Sequence, residues 1–85
     1  MTTQTTSKTN ATSRAWESRK QMATEIMNNV IAAGTFEVVT GPYIPDEKVG
    51  RAMGIAHAVE VEARRRGMKE SYAAGMRSYI FDICS

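Results

Sequence analysis

Apolar residues recur along this chain in three helical stripes, interrupted once by a stretch of different rhythm. Between Arg14 and Ala33, the residues Trp16, Met22, Ala23, Ile26, Met27, Val30 and Ile31 fall on one side of a helical wheel, with Glu17, Gln21, Glu25 and Asn28 on the other. The spacing predicts an amphipathic helix over 14–33, with Ser13 placed to cap its start and Gly34 to end it in the left-handed conformation that other residues resist. Trp16 reads as the first side chain of the core stripe, packed rather than presented to a partner.

Residues 35–45, TFEVVTGPYIP, change to β-branched and aromatic types, with Phe36 and Val38 alternating against Glu37 and Val39 before a turn at Gly41-Pro42. They predict a short strand or extended crossover. A strand needs a partner for its backbone, and the other β-rich stretch is SYIFDIC near the end of the sequence. There, however, Met68, Tyr72, Met76, Tyr79, Ile80 and Ile83 share a helical face, so a third helix over 69–82 is preferred to a strand over 78–84.

The segment between them, VGRAMGIAHAVEVEARRRG over 49–67, admits two readings. Asp46 and Glu47 after Pro45 favour a helix start, and Arg64, Arg65 and Arg66 before Gly67 favour a helix end, giving a helix over 46–66. Glu60 to Arg64 and Glu62 to Arg66 are acid-to-base pairs at the stabilising four-residue spacing. As one helix, the segment has a main apolar stripe of Val49, Ala52, Met53, Ala56, Val59 and Ala63. A second, smaller stripe of Gly50, Gly54, Ala58 and Val61 lies roughly opposite. The small residues Gly50, Gly54 and Ala58 would let another backbone come close, either a neighbouring helix or a second copy of the chain. Two glycines inside a helix cost about 1 kcal/mol each relative to alanine, so packing or function should offset them. Glu60 falls within the main stripe, marking the edge of the core or pairing with an arginine.

The competing reading breaks the segment at Gly54 into a helix-turn-helix unit, with the arginines on DNA phosphates. Its first half fits, through Val49, Gly50, Met53, Gly54 and Ile55. Its second half does not: Glu60 stands where an apolar residue is expected, and Ala56-His57-Ala58 offers little to base edges.

Composition narrows the function further. The chain has 85 residues, which is one domain with a thin core. Its 42% apolar and 24% charged content is that of a globular protein. Residues 1–13, MTTQTTSKTNATS, are too polar to bury surface and read as a disordered tail, leaving 14–85 as a single small helical domain. The net charge of +2 permits nucleic-acid contact without arguing for it. A single cysteine, Cys84, excludes an intramolecular disulfide, and the absence of an apolar leader or membrane-length run makes the cytoplasm the expected location.

No catalytic or cofactor motif stands out. His57 is the only histidine, and with Met53 and Glu60 nearby it supplies too few ligands for a structural zinc site. No carboxylate lies upstream of it at helical spacing to make it a catalytic base. The expectation is therefore a mostly α, three-helix domain with a short extended or β segment between helices one and two, and with no enzymatic activity, cofactor or metal. Its function is expected to be binding to another protein as a small regulator, adaptor or inhibitor. A phage or mobile-element accessory protein that blocks a host defence complex, including one that handles nucleic acid, fits this description. Arg51, Arg64, Arg65 and Arg66 are the expected partner-binding residues, and Gly50, Gly54 and Ala58 the expected helix-packing or dimer contact. A small helix-turn-helix regulator is the alternative.

Overall fold

The computed structural model describes the backbone of residues 3–85 and the side chains from Arg14 onward. The tail expected over residues 1–13 lies outside the residues described in full, and Ser13, expected to cap a helix starting at Arg14, falls within the helical backbone of the first element instead. Three helices form: α1 over Thr3–Ala33, α2 over Glu47–Arg65 and α3 over Glu70–Cys84. The expected helical class and order hold. The expected short extended or β segment between α1 and α2 does not, for there is no strand among the described residues. Its one prospective ladder partner, Ser78–Cys84, is wound into α3, and a lone strand cannot pair its own backbone.

The connection over 34–46 instead lies across α2 as an irregular strap. Val39 N–H donates to the Gly50 carbonyl at 3.0 Å. The backbone carbonyls of Val39 and Glu37 rest directly on Gly50 and Gly54, where a methyl group would collide with them. Both glycines are buried in an unbroken α2. They are therefore packing positions for the chain's own strap, and the helix-turn-helix hinge proposed at Gly54 is a continuous helix.

Helix ends follow the local chemistry. Gly34, at φ 67°, closes α1 with Gly34 N–H donating to Ile31 O and Thr35 N–H to Val30 O. Gly67, at φ 88°, repeats the arrangement on α2, with Gly67 N–H donating to Arg64 O and Met68 N–H to Ala63 O. Asp46 caps the start of α2, its carboxylate accepting from Val49 N–H at 2.9 Å.

Ala23, Ile26 and Val30 of α1, Ile55, Ala56, Val59 and Ala63 of α2, and Ala73, Met76 and Ile80 of α3 form one buried cluster. Arg19 reaches Tyr72, Lys20 lies near Tyr79, and Met27 meets Cys84. Because these pairs advance together along both helices, α1 and α3 run in the same direction, with α2 returning between them. None of the described helices is long and apolar enough to cross a membrane.

Candidate interaction surfaces

The arginines at the end of α2 do not stand free. Arg64 Nη2 donates to Glu60 Oε2 at 3.1 Å and to Glu70 Oε1 at 3.3 Å. Arg77 of α3 approaches the other Glu60 oxygen at 3.5 Å, so the carboxylate, 7% exposed, is held between two helices' cations. Glu60 thus both lines the core and pairs with arginine. One turn away, Arg65 binds Glu62 in a two-pronged contact, 2.9 Å at each oxygen, and Arg66 adds a third bond at 3.0 Å. Hydrogen bonds from Arg65 and then Arg66 hold the Glu62 carboxyl down at about 2, against an ordinary 4.5, and Glu62 in turn raises Arg65. Three of the four expected partner-binding residues are thereby gathered into one charge-paired patch. The fourth, Arg51, lies near the other end of α2, exposed and with its guanidinium 5.5 Å from the Phe36 ring.

A second surface joins α1 to the start of α3. Trp16 and Tyr72 are each 41% exposed, which corrects the expectation that Trp16 is packed into the core. Among the described side chains of α1, buried positions begin at Ala23, and toward Arg14 the stripe passes into Arg19 and Lys20. The Arg19 guanidinium sits 3.8 Å from the Tyr72 ring centre and 5.7 Å from that of Trp16. Lys20, paired with Glu17 at 3.1 Å, lies 5.8 Å from both Trp16 and Tyr79. Sequence reasoning missed Arg19 and Tyr72 as a pair, because only the parallel packing of α1 and α3 brings them together. The sequence signal was a cation three residues after the tryptophan, on the same helical face.

The third feature is a groove of about 990 Å³ between the C-terminal part of α1, the strap and α2. Glu37 and Val38 of the strap and Gly54, Ala58, Val61 and Arg65 of α2 are among the residues that line it. Val61 is 48% exposed. Ala58 is only half-buried, so of the three expected small-residue contacts it alone keeps room for another chain.

Among the described residues no group of three or more His, Cys, Asp and Glu side chains is drawn together as metal ligands would be. No family model matches this chain, and neither a curated protein nor a solved structure matches it.

Proposed function

We propose that this chain is a non-enzymatic protein-binding module, a small regulator, adaptor or inhibitor, and that it holds its partner through the face formed by Trp16, Arg19 and Tyr72. The observation that carries this reading is the composition of that face. Tryptophan, tyrosine and arginine are the residue types that dominate binding energy at protein interfaces, and here all three lie together with both rings partly exposed. The stacking of Arg19 on Tyr72 holds both side chains in place before binding, which lowers the ordering cost.

Direct DNA binding is the weaker reading. Glu60, Glu62 and Glu70, the carboxylates paired with Arg64, Arg65 and Arg66, would repel the phosphate backbone that the arginines attract.

The test begins with capture of the partner from the native host, identified by mass spectrometry, followed by calorimetric titration of the purified pair. Trp16→Ala and Tyr72→Ala should each weaken binding by about 30-fold or more, with the helical circular dichroism spectrum unchanged. Wild-type affinity in both variants would defeat the proposed face. Sub-micromolar binding of random duplex DNA at physiological salt would defeat the protein-binding reading itself.

A further inference from the structure

The groove between the strap and α2 has opposite charges at its two ends, and the spacing of its residues fits a second copy of the same chain. Gly54, Ala58, Val61 and Arg65 follow one another at helical spacings of four, three and four, so they lie along one line of α2. Glu37 belongs to the Gly54 end of that line, because its carbonyl rests on Gly54. Among the described residues it makes no ion pair. At the other end Arg65 and Arg66 share the single carboxylate of Glu62, leaving an excess of positive charge. From Gly54 to Arg65 the helix rises about 16 Å, at about 1.5 Å per residue.

The midpoint between Gly54 and Arg65 is also the midpoint between Ala58 and Val61. A two-fold axis through that point therefore satisfies both pairs at once. It lays α2 antiparallel against α2 of a second copy, sets each exposed Val61 over the other copy's half-buried Ala58, and brings each Arg65 to the Glu37 end of the other groove. A two-fold contact must be self-complementary, and this line is so both in shape and in charge. We propose that the protein forms a homodimer through antiparallel packing of α2 in this groove, with Val61 as the apolar knob and Arg65–Glu37 pairs at both ends.

This proposal does not rest on the partner-binding face, since none of its residues belongs to the Trp16, Arg19 and Tyr72 cluster. A dimer would present that face twice.

Sedimentation equilibrium of the purified chain tests the pairing directly. The wild type should be dimeric at micromolar concentration. Val61→Asp, at a position exposed enough to leave the fold intact by circular dichroism, should be monomeric. Glu37→Arg and Arg65→Glu should each weaken dimerisation about tenfold, and the two together should restore it to within about threefold of the wild type by exchanging the partners of the pair. A wild type that is monomeric up to about 100 µM would overturn the proposal. So would a dimer that survives Val61→Asp, or a double variant no stronger than its two parents.

Discussion

Glu60 and Glu62 stand two residues apart on α2, yet their surroundings give them different work. Glu60 is buried against the core and receives Arg64 from its own helix and Arg77 from α3, so it ties the two helices together at a point where apolar contact alone would tolerate sliding. Replacing it with alanine leaves two arginines facing an emptied site. Because those arginines are half-exposed and recover water, Glu60→Ala should cost about 1 to 3 kcal/mol in urea unfolding, less than loss of a partner from a fully buried pair. Glu60→Met, which fills a similar volume without a charge, should cost less than alanine. Glu62 acts at the surface, and its effect depends on pH. Its folded carboxyl titrates near 2 against an ordinary 4.5, so the stabilisation it supplies is fully present above about pH 4.5 and fades as pH falls toward 2. Its carboxyl carbon signal in an NMR titration should have a midpoint near 2, and Glu62→Gln should make stability less steeply dependent on pH between those limits.

At the scale of elements, the two glycines of α2 reverse the usual rule for a helix. Glycine to alanine inside a helix ordinarily gains about 1 kcal/mol through the entropy of the unfolded chain and the better helix propensity. At Gly54 the added methyl meets the Glu37 carbonyl, a rigid backbone atom, so the strap must lift from the helix. Gly54→Ala should therefore destabilise the domain by about 1 to 3 kcal/mol. Gly75, inside α3 with nothing within 4 Å of the corresponding position, supplies the control. Gly75→Ala should raise stability by up to about 1 kcal/mol in the same denaturant series. The sequence made the need for an explanation of Gly50 and Gly54 visible, but not its nature. Helix-period reasoning looks for another helix or another chain as the occupant of a small-residue stripe, whereas at Gly50 and Gly54 the occupant is the irregular backbone of the strap that precedes α2. The strap differs from the expected extended or β structure for a related reason: Phe36, Val38 and Val39 carry strand-like side chains, but no strand among the described residues is there to pair with them. Helix ends were far more legible, since Gly34, Asp46 and Gly67 act through their immediate neighbours.

For the molecule as a whole, the centres of the apolar stripes were legible and their margins were not. Ala23, Ile26 and Val30 are buried, whereas Trp16, Met22 and Ile31 on the same predicted face are exposed. Likewise Met76 and Ile80 are buried while Tyr72 and Ile83 emerge. A wheel records which side of a helix is apolar, but only the lengths and crossings of its neighbours decide where along the helix that side is covered. The same arrangement brings the contact between α1 and the C-terminal part of α3 under chemical observation. Near its last residue, the chain closes Cys84 Sγ to 3.7 Å from the sulfur of Met27, and burial pushes the thiol's pKa up, while Arg51 opposes the shift. Alkylation requires the thiolate to attack the reagent, which needs room to approach. The wild-type sulfur, partly covered and with its pKa raised, should therefore react more slowly than the same residue in urea-unfolded protein. The thiol thus serves as a built-in probe of the contact between α3 and α1, readable by mass spectrometry without an added label site, and Met27→Ala should speed its alkylation.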